Sequence, residues 1–241
     1  MESNAVSDAW TSAGSFLAHP ATQMLLGSLL SAFVSVLLEW KKRPKVSVSI
    51  DQNVPERVTQ WDADRNPVVR YEAVRLIVAN LKRWPKFWPR QSLIRVSAKI
   101  TFHDAHTGAD LFGRPMKARW ASLPQPEIVL FINNRKTTVS DLSLISNAPE
   151  LDIPWGEREE LDVAARFENE AAVYGWSNEN YYDPDGMYRA EKWRITEERC
   201  LVKVLLQGSG ERSVHVYRMT NVQGNRLRLD PTTHAERDLL L

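Results

Sequence analysis

The chain has 241 residues, 43% of them hydrophobic, enough apolar surface for a buried core and too much for wholesale disorder. Its 31 basic and 30 acidic residues nearly cancel, so no global field draws it to nucleic acid, and any basic contact surface has to be local. A single cysteine, Cys200, excludes an intrachain disulfide and leaves stability to packing.

From Ala9 to Leu38 there is no Asp, Glu, Lys or Arg. The most apolar part, residues 21–40, reaches ~30 Å as a helix rising ~1.5 Å per residue, about one bilayer core. Pro20 suits the first helical turn, where no backbone donor is needed. Trp40 closes the segment, and Lys41, Lys42, Arg43 and Lys45 follow it. The positive-inside rule then predicts a single pass, with residues 1–20 as a short extracytoplasmic N-terminus and the bulk of the chain cytoplasmic. A cleaved signal peptide is disfavoured, because no positive region precedes the apolar run and a basic run stands where cleavage would occur. Gly27, Ser31 and Ser35 recur every fourth position, a small-residue spacing that favours helix association in lipid.

After the basic anchor at 41–45 the pattern changes from helical to alternating. Val46, Val48 and Ile50 alternate with Ser47 and Ser49. Residues 69–80 are rich in Val, Leu and Ile and read as a central strand. Ile94, Val96, Ala98, Ile100 and Phe102 alternate with Arg95, Ser97, Lys99 and Thr101, which predicts one buried face containing Ile94. Leu161, Val163, Ala165 and Phe167 repeat the theme. Two further strands flank Gly208–Glu211, a hairpin with a four-residue connection. At least seven short strands, with no long amphipathic helix between them, predict an all-β antiparallel β-sandwich over residues 46–230, preceded by one transmembrane helix. Residues 133–158 and 169–199 read as long irregular stretches, and 231–241 as a loose tail.

The stretch LKRWPKFWPR, residues 81–90, carries two prolines and so connects strands instead of forming one. If the strand ending at Asn80 runs antiparallel to the one starting at Val46, this connection returns to the membrane side. Trp84, Lys86, Phe87 and Trp88 would then rest at the headgroups. Capping of the core by the two Trp rings is the competing reading, and base stacking a third.

His103, Asp104, His106 and Asp110 are residue types that could hold a metal, but Asp104–Gly108 also reads as an ordinary turn, so none is assigned. The DPDG stretch at 183–186 lacks the full calcium-loop spacing and reads as a turn. Cys200 opens a strand and has no evident activating base, so a small buried hydrophobe is expected. No phosphate-cradling or nucleophile motif is present in the sequence, and no cofactor is predicted. Residues 174–193 mix Tyr174, Trp176, Tyr181, Tyr182, Tyr188 and Trp193 with amides and acids. That composition is typical of recognition surfaces, although rings packed over an open sandwich end give the same pattern.

VRLIVANLKR followed by LIRVSAKITFHDAHTG resembles the two-strand signature of immunoglobulin-like sandwich domains of bacterial adhesion type. Asn80 matches the Asn of the Val-x-Asn strand end, and Val96–Phe102 match the second strand. The resemblance covers about a fifth of the chain, and LKRWPKFWPR stands where a Gly-rich link is usual. It implies an Ig-like fold. The functional expectation is a non-enzymatic, single-pass protein of the inner membrane whose cytoplasmic sandwich binds a protein partner or small ligand. A ligand-responsive effector that oligomerises through its membrane helix is the alternative, and a membrane-tethered enzyme the third.

Overall fold

The computed structural model describes residues 20–51, 57–61, 67–81, 91–123, 127–132, 135–140, 143, 149–181 and 189–241. The chain divides into two compact units, Met1–Arg43 with Arg83–Gln91, and Pro44–Lys82 with Ser92–Leu241.

In the first unit, helix α1 runs over Pro20–Lys42 and ends on Lys41 and Lys42, cations that suit a helix C-terminus. Within it, Gln23–Lys42 is long and apolar enough to cross a membrane, with mean hydropathy 1.5.

The second unit is mostly β. Its strands begin with β1 (Val46–Asp51), β2 (Arg57–Trp61), β3 (Pro67–Asn80) and β4 (Leu93–Asp104). Short strands β5 (Met116–Lys117) and β6 (Arg119–Trp120) follow, then β7 (Glu127–Ile132), β8 (Arg135–Ser140) and β9 (Leu151–Ile153). The chain continues through β10 (Arg158–Phe167), β11 (Val173–Gly175), helix α2 (Asn178–Tyr181) and β12 (Arg194–Ile195). It closes with β13 (Arg199–Gly208), β14 (Glu211–Thr220), β15 (Arg228–Pro231) and helix α3 (His234–Asp238). One antiparallel sheet has the order β1-β3-β10-β11-β12, with β2 on β3 and β6 on β10. The other has the order β15-β14-β13-β4-β5, with β9 on β4; β7 and β8 pair separately. The two sheets form the predicted sandwich-like arrangement.

Alternation builds the core. Leu76 and Val78 of β3 and Leu161 of β10 bury completely with Ile100 and Phe102 of β4 and Val202 and Val204 of β13. Trp120 and Trp193, both fully buried, fill the space left by the aliphatic side chains. At one end Arg166 of β10 ties the sheets together. Its guanidinium donates to Asn221 Oδ1 (3.0 Å) and Val222 O (3.2 Å) beyond β14, and to Glu72 Oε2 (2.9 Å) on β3. Glu72 in turn accepts from the backbone of Leu227 at 3.1 Å.

The face of the first sheet turned away from this core is also buried in part. Register places Asp51, Arg75, Asp162 and Arg119 in a row across β1, β3, β10 and β6, with charges alternating in sign. Arg75 is 3% exposed, Asp162 1% and Arg119 7%. Arg75 Nε donates to Asp162 Oδ1 at 2.6 Å, and Arg119 Nη1 to Asp162 Oδ2 at 3.2 Å. Arg75 also reaches Glu160, which is half exposed.

Five sequence expectations are corrected. The alternation of β10 does not keep one face: a bulge between Asp162 and Ala164 leaves Leu161 and Val163 in the main core and turns Ala165 and Phe167 onto the opposite face. The connection at Gly208–Glu211 is tighter than four residues: Gly208 pairs with Glu211, leaving only Ser209 and Gly210, at φ 51° and 75°. Two positive φ angles match the twist of a two-residue hairpin. The stretch 133–158 is not wholly irregular, since β8 and β9 lie within it, and β11, α2 and β12 lie within 169–199. The tail is docked instead of loose. Thr233 and Glu236 form a reciprocal capping box that starts α3, Leu240 packs on Leu201 and Val216, and Lys203 Nζ donates to Leu240 O at 2.6 Å. Finally, Leu93 and not Ile94 enters the core: Leu93 is 1% exposed and Ile94 52%. The pairing of β4 with β9 slips by one residue between Leu93 and Val96, and this bulge turns Ile94 outward.

Asp162→Ala leaves two guanidinium groups buried without their shared carboxylate. We expect a stability loss of ~3–5 kcal/mol. Glu160→Ala, on the exposed side of the same network, should cost less than ~1 kcal/mol. Guanidinium unfolding of the full chain in mild detergent, read by Trp fluorescence, checks both.

Candidate functional site

Helix α1 carries the clearest functional signal. Of its apolar 18-residue window, none is buried within the structure. Leu25, Leu29, Leu30, Phe33 and Val36 are each more than 60% exposed. In water such a surface is strongly unfavourable, at roughly 25 cal/mol per Å² of apolar area. Trp40, 65% exposed, and Lys41, Lys42 and Arg43 stand at its foot. Gln91 N donates to Lys42 O at 2.8 Å, so the foot of the helix also fixes the far end of the connection that leaves β3. Gly27, Ser31 and Ser35 lie exposed along the helix, and a side chain added at Gly27 would meet nothing within 4 Å. Trp84, Lys86, Phe87 and Trp88 lie outside the described residues.

The aromatic residues of 174–193 have a different fate. Tyr174 and Trp176 are 7% and 4% exposed and pack with Tyr71, Phe167 and Ala165 on the outer face of the first sheet. Tyr71 stacks on Trp176 at 4.8 Å, and Arg189 lies 4.2 Å over Phe167. Neither Tyr174 nor Trp176 therefore offers its ring to a partner; both serve packing, because the strand parity of β11 turns Tyr174 onto Ala165 of β10. Asn180, fully buried, accepts from Ala190 N at 2.8 Å and donates to Gly175 O, so this amide staples its own loop. The backbone of Tyr181 ends α2; its side chain, with Tyr182 and Tyr188, lies outside the described residues.

The His–Asp cluster resolves into turn chemistry. Asp104 Oδ1 accepts from His106 N, Thr107 N and Thr107 Oγ1 at 2.7–3.0 Å. The Thr107 backbone bond, first among these, holds the Asp104 carboxyl below its ordinary range. Asp110 caps the backbone of Phe112 and Gly113, and His103 bonds Gly108 O and Thr101 Oγ1 through its two ring nitrogens. Cys200 is buried, and that burial pushes its thiol up to about 12.

Sequence reasoning missed a groove between the two sheet edges. One lobe, of about 630 Å³, is lined by Val48, Ile50, His215, Tyr217, Leu229 and Arg237 among others. The second, of about 430 Å³, shares Ile50, Leu229 and Asp230 with the first and continues to Glu72 and Arg226. Leu81 N bonds Lys45 O, so the odd residues of β1 face β3 and the alternate residues Val46, Val48 and Ile50 turn their backbone groups toward the groove. Tyr217 Oη reaches Val48 O across it at 3.4 Å. Strand edges of this kind accept an extended chain by strand addition. The groove arises where β1 of one sheet faces β14 and β15 of the other, and no local motif marks it.

Burial, and then the nearby Arg237, push the His215 imidazole below its ordinary value of 6.5. A depressed imidazole favours the neutral folded form, so its stabilisation is present above about pH 6.5 and is lost as pH falls through the folded value. Unfolding midpoints should drop between pH 7 and pH 5, and His215→Gln should flatten part of that slope. Cys200 should resist an aromatic disulfide reagent at pH 8 in the folded chain and react at once in denaturant. No family model, no curated protein and no solved structure matches the chain.

Proposed function

We propose that α1 anchors this protein in the inner membrane by a single pass and that its sandwich works on the cytoplasmic side as an interaction or assembly module. The observation that carries this reading is the exposure of the whole apolar length of α1, followed by Lys41, Lys42, Arg43 and Lys45. An aqueous protein would bury that surface, and a bilayer accepts it as it stands. The basic run on one flank sets the orientation.

Strand connectivity supports an immunoglobulin-like variant of the sandwich. With β1, β3, β4, β10, β13 and β14 read as strands A, B, C, E, F and G, the first sheet has the order A-B-E and the second C-F-G. Residues between β4 and β10 are then an extended insertion. The groove beside β1 is the surface we assign to the partner, as an extended segment adding to an edge strand. Binding fits this domain better than catalysis, because His103, Asp104, Asp110 and Cys200 are all engaged in turn or core structure.

A second reading, an effector clustering through its membrane helix, is favoured by the open face at Gly27, Ser31 and Ser35. Replacing those three by Leu should abolish toxicity on overexpression if clustering is the activity, and leave partner capture unchanged if it is not.

The full chain should sediment with membranes, resist salt and alkaline wash, and dissolve only in detergent. Protease outside intact cells should spare the sandwich and digest it after permeabilisation. Leu29→Arg with Leu30→Arg, at ~2.5–3.5 kcal/mol per charge at mid-span, should release the protein from the membrane. A wild-type chain found in the detergent-free supernatant would overturn the reading.

A further inference from the structure

The bulge in β4 is held in place more firmly than an ordinary strand irregularity. Arg95 sits at φ 53°, a left-handed conformation that a residue with a Cβ adopts at a cost. Its backbone N–H donates to Asp152 Oδ1 at 2.7 Å and its Nε to Glu150 Oε2 at 2.7 Å. On the other side, Ile94 N donates to Ser209 Oγ at 2.7 Å and Ile94 O accepts from Ser209 N at 3.0 Å. Two neighbouring loops thus fix a strained backbone whose visible result is an aliphatic side chain turned to the outside.

The location of that side chain is informative. Among the described residues of the sandwich unit, the large apolar side chains that remain exposed are Leu81, Ile94, Leu239 and Leu241. The last two belong to the chain's final three residues. Leu81 and Ile94 share one end of the sandwich, and it is the end where the chain enters at Pro44. Leu81 N bonds Lys45 O at 3.0 Å. Pro44 and Lys45 line a 220 Å³ cavity with Leu93, Val96, Gly208 and Arg212, and the bulge that turns Ile94 out lies between Leu93 and Val96. Trp155, partly buried, belongs to the same end, in the turn whose Gly156 N donates to Asn80 O. Lys45, Arg158 and Arg212 add cations there.

We propose that this end of the sandwich is a lipid-contact surface, with Ile94 and Leu81 inserted among the headgroups of the bilayer that holds α1. The proposal rests on the membrane reading above. Only Arg43, Pro44 and Lys45 separate the last helical residue, Lys42, from the first strand residue, Val46. Four peptide steps span at most ~14 Å at ~3.6 Å each, so this end is bound to emerge at the interface, whereas Leu239 and Leu241 are not so tethered. Exposed aliphatic side chains beside a half-buried Trp match an interfacial layer, and anionic headgroups attract Lys45, Arg158 and Arg212, an attraction that Glu157 and Glu211 at the same end offset in part. The bulge then has a function: it moves an isoleucine from the core side of β4 to the membrane side.

The test uses the full chain in vesicles, with a polarity-sensitive probe on a single introduced cysteine; the buried Cys200 does not compete for label. Ile94→Cys is compared with His106→Cys, beyond the opposite end of β4, and with Leu30→Cys in α1. We expect the probe at 94 to be blue-shifted and quenched several-fold more than that at 106 by headgroup-labelled lipid. The contrast should be larger in mixed phosphatidylcholine–phosphatidylglycerol vesicles than in phosphatidylcholine alone. If the probe at 30 reports lipid while those at 94 and 106 both report water, the lipid-contact surface is refuted and the anchor stands. If the probe at 30 also reports water, anchor and surface fall together.

Discussion

The antiparallel pairing of Val46 with Asn80 is the constraint on which the rest of the sandwich is arranged. It brings the point where the chain enters the domain beside the point where β3 ends. Asn80, fully buried, then gathers the next segments: its N–H donates to Glu157 O, its carbonyl accepts from Gly156 N, and its side-chain amide donates to Ile153 O. Through that one residue the start of β10 and the end of β9 are fixed at the same end. Leu93 pairs with Ile153, and β4 begins there as well. The arrangement of this end of the sandwich follows from these few backbone bonds.

The first sheet carries its polar load in an unusual place. A row of alternating charge crosses four strands on the face turned away from the main core, and three of its members are buried. Burying charge is costly unless each group is paired, and Asp162 meets the requirement with one carboxylate oxygen for each arginine. Pairing of this kind contributes less to net stability than apolar residues of the same volume could. It does penalise any slip in register, since a one-residue shift would leave the guanidinium groups without partners. Beside it the Tyr71–Phe167–Tyr174–Trp176 cluster makes a second apolar layer on the same face. The outer face is thus a packed surface in its own right, which is why the rings of 174–176 are unavailable for recognition.

The groove lies at the sheet edges, apart from the Tyr71–Phe167–Tyr174–Trp176 cluster on the outer face. The groove beside β1 exists because two edge strands from different sheets face one another across Tyr217. Burial pushes that tyrosine up to about 12, so its hydroxyl stays a donor at any physiological pH. The His–Asp cluster at the end of β4 contributes structure: its carboxylates are occupied by backbone N–H groups that would otherwise be orphaned in tight turns.

What the sequence determined by itself is whatever depends on local periodicity. The apolar length of α1, the inward face of β4 from Val96 to Phe102 and the class of the fold follow from spacings of two or of about four residues, whereas the alternation of β10 changes face at its bulge between Asp162 and Ala164. These are legible because a strand or helix places its side chains the same way wherever it sits. Tertiary structure alone decided the rest. Arg75 and Asp162 stand 87 residues apart in the chain, and no pattern near either one announces their pairing. Ile94 obeys the alternation of its own strand and is turned out by Asp152 and Ser209, which belong to other segments. The tail looks like a frayed terminus and is held by Lys203 and Leu201 of a strand finished long before it. In each case the deciding energy is a contact between residues distant in sequence, and such contacts exist only once the sheets have closed.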